Sequence, residues 1–178
     1  MATAQKTDDW LELKPIRPRE ENPAPPERVT IYTDGGAQPN PGRGGYGVVL
    51  LYGDRRRELS GGYRRTTNNR MEILAAIRGL EALKRRCSVT LFSDSQYLVK
   101  AMTRGWAERW RRNRWMRTAK EPAKNPDLWE RLLDLCRNHR VRFQWVRGHS
   151  TTEENNRCDA LATAARRKTD LPPDPGFD

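Results

Sequence analysis

Four carboxylates stand at positions from which they could act together. Asp34 and Asp94 each end a strand-like run, while Glu72 and Asp159 lie beside apolar positions of two helical segments. Clustered carboxylates repel one another unless cations neutralise them, and a set of oxygen ligands suits hard cations, Mg²⁺ above all. Two such ions about 3.5–4 Å apart can activate a water and stabilise the attacking and leaving oxygens at phosphorus. The four acids are therefore candidate metal ligands for chemistry at a phosphodiester.

The elements that must position these acids follow from the spacing of apolar and β-branched residues. The predicted strands are RVTIYTD, YGVVLLY, RELSGGYRR, SVTLFSD and VRFQWV. The predicted helices are TTNNRMEILAAIRGLEALKRR, SQYLVKAM, NPDLWERLLDLCRNH and NNRCDALATAARRK, and GGAQPNPGRGG after the first strand is predicted to be a loop. The Gly53–Asp54 turn predicts an antiparallel meander of the first three strands. The strand–helix alternation that follows predicts a mixed sheet flanked by helices.

This order of elements predicts that the acids converge. If the first and fourth strands are parallel neighbours, their axes lie about 4.8 Å apart, and Asp34 and Asp94 share the carboxyl edge of the sheet, where ligands of open α/β sheets bind. Glu72 lies in the first turns of the helix that joins these strands, and Asp159 has a similar place in the last helix. Taken singly, each acid could instead be a helix cap or a solvated surface group. Four such positions in one fold favour a shared site.

The composition fits one basic domain that attracts a polyanion. The chain has 178 residues and a formal charge of +11, and residues 28–168 alone contain 30 bases and 14 acids. Such a balance favours a nucleic-acid partner, although a basic protein without one remains an alternative. No apolar run approaches a membrane span, and MATAQKTDDW has no apolar signal core. Three widely spaced cysteines indicate reduced thiols in a cytoplasmic protein. We also expect a monomer with no membrane partner.

The two ends of the chain differ from its middle. Residues 1–27 hold five prolines among charged residues and are predicted to form a flexible arm. Trp10, Leu11 and Leu13 could dock somewhere, but nothing in the sequence indicates where. Residues 169–178 are predicted to be a flexible tail, which leaves residues 28–168 as the catalytic domain.

Six segments resemble, in this order, the bacterial type 1 ribonuclease H family. They are IYTDGGAQPNPGRGGYG, GGYRRTTNNRMEILAAI, FSDSQYLVKAM, KNPDLWERL, WVRGHS and ENNRCDALA. TTNNRME followed by SDSQY and CDALA is the most specific part. The resemblance implies a ribonuclease H-like α/β fold with a five-stranded mixed sheet. It also implies hydrolysis within the RNA strand of RNA/DNA hybrids, leaving 5′-phosphate and 3′-hydroxyl ends.

The resemblance assigns roles to single residues. The family's metal-binding carboxylates match Asp34, Glu72, Asp94 and Asp159, which implies two Mg²⁺ ions per active site, with Mn²⁺ as a substitute. His149 matches a loop histidine that assists proton transfer or product release, and a histidine on a polar loop suits proton transfer near neutral pH. His139, at a helix end, is predicted to be structural.

Other positions match the family's contacts with the hybrid. Amides can donate and accept hydrogen bonds, which suits the 2′-hydroxyls that distinguish RNA from DNA. The amides that match minor-groove contacts are Asn40, Asn68, Asn69 and Gln96. Thr67 matches a pocket for a DNA phosphate at a helix N-terminus. Without the resemblance, these Asn and Thr residues would be interpreted as helix caps.

Residues 104–124 combine eight bases with two acids and three tryptophans. They resemble the family's basic protrusion, which holds the DNA strand through cations and aromatic faces. Trp106 and Trp110 are the predicted contacts, and Trp115 is a weaker candidate. Because Trp106 and Trp110 are four residues apart, they could equally pin the protrusion to the body of the domain.

The sequence departs from the family pattern at two places, and two rival functions remain. Gly36 stands where serine is frequent, and the loop GHSTTEEN lacks a second histidine and contains Glu153, which leaves the cleavage rate open. One rival is a nuclease or strand transferase of related fold that acts on other nucleic acids. The other is an inactive hybrid-binding protein. TTNNRME, SDSQY and the protrusion disfavour the first, and the presence of all four carboxylates disfavours the second.

Overall fold

The computed structural model describes residues 25–149 and 151–177. Their strands form one sheet in the order β3-β2-β1-β4-β5. The strands are β1 (Glu27–Gln38), β2 (Gly42–Tyr52), β3 (Arg55–Thr66), β4 (Cys87–Ser93) and β5 (Arg140–Trp145). The first three strands are antiparallel, and β4 and β5 run parallel to β1. The predicted mixed sheet, a meander followed by parallel strands, is confirmed.

Helices cover both faces of the sheet. They are α1 (Asn68–Glu81), α2 (Gln96–Thr103), α3 (Trp106–Arg112), α4 (Pro126–Asn138) and α5 (Glu153–Arg166). The helix α1 packs on β1 and β2, and on its outer side against α4, while α5 packs on the opposite face of β1, β2 and β3. The apolar stripe predicted for α1 is buried, since Ile73 and Ile77 join Ile31 and Leu91 in the core. Burial of this stripe holds the N-terminal turns of α1 against the sheet.

The predicted loop GGAQPNPGRGG is mostly strand. β1 continues to Gln38 and β2 begins at Gly42, with Gly36 paired to Gly45 and Gln38 to Arg43. The glycines here do not break the strands; they let other backbone come close, as glycines within strands often do. A Cβ on Gly45 would overlap the carbonyl oxygen of Ala162 in α5. The prediction of a long loop was wrong because these glycines serve packing.

The C-terminal residues pack on the domain, in contrast to the flexible tail predicted over 169–178. Asp174 is only 1% exposed. Its carboxylate accepts hydrogen bonds of 2.7 Å from Thr66 Oγ1 and from Arg70 Nε. The physical reason is the buried Arg70 guanidinium, because a buried charge needs a charged, hydrogen-bonded partner. Residues 1–24 of the predicted arm lie outside the described residues, so the flexible arm stays a prediction.

The remaining predictions concern the three cysteines and His139. Cys87, Cys136 and Cys158 are all unbridged, and burial raises the pKa of the Cys136 and Cys158 thiols to about 12. The N–H of Cys87 donates to Nδ1 of His139 over 3.2 Å, a structural role for that histidine. Among the described residues, no helix is long and apolar enough to cross a membrane.

Candidate active site

Asp34 and Asp94 meet because β1 and β4 are parallel neighbours in register. The pairing runs from Glu27 opposite Cys87 to Thr33 opposite Ser93, so the next residue of each strand is an aspartate at the same edge. Asp34 is 9% exposed, and its Oδ1 accepts a hydrogen bond from the Gly35 N–H over 2.8 Å. Topology alone brings these two acids together, as the sequence predicts.

Glu72 reaches the same edge because α1 begins directly beside β1. Thr67 caps the helix, its Oγ1 accepting from the Arg70 N–H over 3.2 Å. A Cβ on Gly35 would lie 2.7 Å from the backbone nitrogen of Glu72, so only glycine allows this approach of helix and strand. Carboxylate oxygens of Asp34, Glu72 and Asp94 consequently all lie within 4.8 Å of one another.

Asp159 is brought to the group by the close packing of α5 on β2. A Cβ on Gly47 would overlap the carbonyl oxygen of Cys158 and lie 2.8 Å from Cβ of Leu161. The absence of that Cβ lets the helix lie directly on the strand. Asp159 then lines one pocket of about 290 Å³ together with Asp34, Glu72 and Asp94.

The electrostatics of this pocket favour a bound cation. Burial, and then the charges of Asp94 and Asp159, raise the pKa of Asp34 to about 8. Burial also raises the pKa of Glu72 well above its usual range, with further contributions from Asp34 and Asp94. Oε2 of Glu72 is buried and accepts no hydrogen bond from the described residues. An orphaned carboxylate oxygen among like charges fits a hard divalent cation.

His149 lies on the loop that follows β5 and lines the same pocket. Its side chain is exposed and its backbone has a φ of 51°. The loop is held against Asp94: Trp145 Nε1 donates to the Asp94 carbonyl over 3.0 Å, and a Cβ on Gly148 would lie 2.7 Å from Asp94 Oδ2. Burial raises the pKa of Asp94, and the positive charge of His149 opposes that rise.

The predicted amide contacts lie beside the pocket rather than all within it. Asn68 and Asn69 line it. Asn40 Oδ1 accepts from the Asn68 N–H over 3.1 Å, and Asn68 Oδ1 accepts from the Ala37 N–H over 2.7 Å. Gln96 is exposed on α2, where its Oε1 accepts from Lys100 Nζ over 3.0 Å. The bonds of Asn40 and Asn68 fix the hairpin turn against the start of α1.

The predicted tryptophans line a larger cavity of about 1020 Å³ beside the basic protrusion. Trp106 and Trp110 have ring centroids 6.4 Å apart. Trp110 is 8% exposed and packs edge-on against Trp129 over 5.9 Å, so it pins the protrusion to α4 while its edge lines the cavity. Asn69 lines both this cavity and the carboxylate pocket, so the two lie side by side.

Among the residues of the carboxylate pocket that sequence reasoning missed are Asn155 and Arg166. Asn155 is buried and its Oδ1 has no hydrogen-bond partner among the described residues. Arg166 also lines the pocket, and its Nη2 donates to Gln38 Oε1 over 2.8 Å. Asn155 precedes Asp159 by four residues and Arg166 follows it by seven, and both spacings place residues on one helix face. That periodicity was the signal available in the sequence.

Comparison with known proteins agrees with this geometry. The family model described as RNase H matches residues 26–167. The ribonuclease H of Syntrophus aciditrophicus is 65% identical over 153 residues, which cover 86% of this chain and 88% of that protein. The crystal structure of LC9-RNase H1, a type 1 RNase H with the type 2 active-site motif, has a TM-score of 0.70 at 31% identity over 80% of this chain and 73% of that one. LC11-RNase H1 in complex with an RNA/DNA hybrid has a TM-score of 0.60 at 26% identity over 77% of this chain and 95% of that one. The chain therefore belongs to the ribonuclease H family, and within it to the bacterial type 1 ribonucleases H.

Proposed function

We propose that this chain hydrolyses the RNA strand of RNA/DNA hybrids with Mg²⁺ held by Asp34, Glu72, Asp94 and Asp159. The observation that carries the proposal is the convergence of three carboxylate oxygens within 4.8 Å, beside a basic cavity that shares Asn69 with the carboxylate pocket. An acidic pocket within a basic domain suits cleavage of a polyanion. Support for the hybrid as substrate comes from the LC11 relative, whose structure holds one.

The four carboxylates are the proposed cation ligands. All of the donors are carboxylate oxygens, and burial together with the neighbouring like charges raises the pKa of Asp34, Glu72 and Asp94. Such a set matches Mg²⁺ better than softer metals. When bound, two Mg²⁺ ions supply activation of a water and stabilisation of the oxygens that attack and leave the phosphorus. The products are a 5′-phosphate and a 3′-hydroxyl within the RNA strand. Mn²⁺, which also accepts carboxylate oxygens, is the proposed substitute.

His149 is the proposed proton-transfer group. Its exposed position on the loop next to Asp94 leaves the imidazole free to accept a proton near the scissile phosphate or to assist departure of the product. Gly148 lets this loop approach Asp94, so the histidine stays close to the carboxylates without occupying their pocket. Asn155 and Arg166 supply an amide and a cation at the opposite wall.

The hybrid is proposed to lie across the pocket and the cavity, with Asn69 at their junction. Asn40, Asn68, Asn69 and Gln96 would read the minor groove around the cut. Thr67, at the N-terminus of α1, would hold a DNA phosphate. Trp106 and Trp110 would support the DNA strand at the protrusion, where Arg109 and Lys124 line the cavity. This arrangement places the RNA strand over the carboxylates.

We further propose that the chain acts as a monomer in the cytoplasm. Its three cysteines are unbridged, which fits a reducing compartment. All four carboxylates lie in one pocket, which disfavours the rival reading of an inactive hybrid-binding protein.

Substrate selectivity tests the proposal. Purified protein with Mg²⁺ should cut the RNA strand of a labelled hybrid and leave single-stranded RNA and double-stranded DNA intact. A gel assay of the three substrates at equal concentration measures this. Equal cutting of single-stranded RNA would overturn the hybrid assignment, and cutting of double-stranded DNA would favour the related-fold nuclease.

A further inference from the structure

A second groove lies at the end of the sheet opposite the carboxylates. The start of β1, the end of β2, the start of β3 and the residues after α1 line it, and its volume is about 440 Å³. Glu27 at this end and Asp34 are seven residues apart along β1, which corresponds to about 23 Å at a rise of about 3.3 Å per residue. The groove is therefore a separate surface from the proposed active site.

The floor of this far-end groove is apolar. Val29, Leu50 and Leu83 line it, and Tyr52 stands at its edge. Tyr52 is 39% exposed and is one of two large hydrophobic residues classed as exposed in the described part of the chain. An apolar floor with an exposed aromatic ring at its edge gains free energy when another apolar side chain covers it.

The rim of the groove is basic. Its charged lining residues are Glu27, Arg55, Arg56, Arg57, Lys84 and Arg85. Arg85 pairs with Glu27 over 3.2 Å and Arg56 with Glu58 over 3.1 Å. Arg55, Arg57 and Lys84 are exposed and form no ion pair with any described residue. The groove therefore suits a short peptide that combines large apolar side chains with acids.

The chain itself contains such a peptide close by. Residues 8–13 read DDWLEL, three acids and three large apolar residues. They precede Glu27, which lines the groove, by a linker of residues 14–26. Thirteen residues reach at most about 40 Å when extended. This reach is ample, because the linker ends directly before Glu27, which lines the groove. A tether this short gives an effective concentration on the order of millimolar, so even a weak contact is occupied.

We propose that residues 8–13 bind in the far-end groove of their own chain. Trp10, Leu11 and Leu13 cover the apolar floor, while Asp8, Asp9 and Glu12 face Arg55, Arg57 and Lys84.

A second basic surface fits the segment less well. The outer face of β1, β4 and β5 forms a shallow pocket of about 540 Å³ with Arg28, Arg140 and Arg142 at its borders. The neighbouring positions on this face are Thr30, Ser88 and Thr90, which pair across the strands with the arginines or with each other. A polar floor is a poor site for Trp10 and the two leucines, because covering it desolvates polar groups and buries little apolar surface. This face serves as the matched control.

Photo-crosslinking of the full chain tests the proposal. Trp10 is replaced by the photoreactive residue p-benzoylphenylalanine, the dilute protein is irradiated, and crosslinked peptides are mapped by mass spectrometry. The expected crosslinks join position 10 to residues 50–57 or 82–87 of the same chain. Crosslinks between two chains, crosslinks to the outer sheet face, or no preferred site would each overturn the proposal.

Charge reversal separates the two basic surfaces. Arg55→Glu, Arg57→Glu and Lys84→Glu together should lower the crosslink yield about tenfold, because three attractions to the acids of residues 8–13 become repulsions. The matched variant with Arg28→Glu, Arg140→Glu and Arg142→Glu should leave the yield unchanged. An equal loss in both triple variants would mean general attraction to a basic domain, and that result contradicts binding in the groove.

Discussion

The carboxylates of Asp34 and Glu72 approach within 4.8 Å of each other at the carboxyl edge of β1. Both have raised pKa values, with burial as the largest cause, and Oε2 of Glu72 lacks a partner among the described residues. The repulsion between two buried carboxylates is reduced when a proton or a cation binds to them. Protons and Mg²⁺ therefore compete for this pair, and the competition has measurable consequences.

Mg²⁺ should stabilise the folded protein. A ligand at 100 times its dissociation constant adds about 2.7 kcal/mol to the free energy of unfolding, which corresponds to about 5–10 °C in the melting temperature of a domain of this size. Thermal melts of the wild type with EDTA and with saturating Mg²⁺ measure the shift. The Asp34→Asn variant should show a clearly smaller shift, and an undiminished shift would place the cation elsewhere.

The metal-free protein should lose stability as the pH rises. The pKa of Asp34 is about 8 in the folded chain and about 4 when unfolded, so the folded state retains a proton that the unfolded state releases between these values. The stabilising effect of that proton is complete below about pH 4 and is lost as the pH rises through about 8.

Asp34→Asn removes the part of this dependence that comes from Asp34, while Glu72 and Asp94, whose pKa values are also raised, remain. In EDTA, the variant should gain melting temperature relative to the wild type between pH 4 and pH 8, since the amide has no proton to lose. Melts at both pH values measure the difference. If the difference in melting temperature between wild type and Asp34→Asn is the same at pH 4 and pH 8, the carboxyl of Asp34 does not have a raised pKa.

The buried ion pair of Arg70 and Asp174 should stabilise the fold strongly. Their side chains are nearly inaccessible, with Nε and Oδ2 2.7 Å apart. Asp174→Ala leaves Asp127 as the one remaining carboxylate partner of the buried guanidinium among the described residues, and should lower the free energy of unfolding by about 3 kcal/mol. Urea denaturation measures this loss. The matched control is Glu81→Gln at the exposed Arg131–Glu81 pair, where less than about 1 kcal/mol is expected. Equal losses in the two variants would mean that Asp174 does not form a buried ion pair with Arg70.

The basic protrusion should set the salt dependence of hybrid binding. Arg109 and Lys124 line the large cavity beside Trp106. Each phosphate contact contributes roughly one unit to the slope of log K against log salt. Arg109→Ala with Lys124→Ala should therefore flatten the slope by about two units in EDTA, as measured by fluorescence anisotropy. Arg140→Ala with Arg142→Ala on the outer sheet face is the control. The same flattening of the slope in that variant would mean that the protrusion is not the surface that contacts the phosphates.

Much of the fold was predictable because its elements are local patterns. The β-branched runs that end at Asp34 and Asp94 and the apolar stripe of α1 identify the strands and the helix that bring the acids together. The last helix supplied Asp159 from the same kind of pattern, and the resemblance then added His149. Both residues line the same pocket.

Long-range packing was not predictable from those patterns. The burial of Asp174 depends on Arg70, which is 104 residues away, and no local signal connects them. The glycines of GGAQPNPGRGG indicated a loop because glycine is common in loops. Their close contacts with α1 and α5 depend on three-dimensional packing, which a local sequence pattern does not show. Asn155 was overlooked since an asparagine before a helical acid has an ordinary explanation as a cap.

The most direct test of the central claim is cleavage of a labelled RNA/DNA hybrid by wild-type protein and Asp34→Asn, each with Mg²⁺ and with EDTA. Wild type with Mg²⁺ should cut, and EDTA should abolish the cutting. Asp34→Asn should be slower by at least about 1000-fold, as expected when several kcal/mol of charge stabilisation is lost, while Asp54→Asn in the exposed turn stays at the wild-type rate. Undiminished cleavage by Asp34→Asn, or cleavage that persists in EDTA, would contradict metal-dependent catalysis by these four carboxylates.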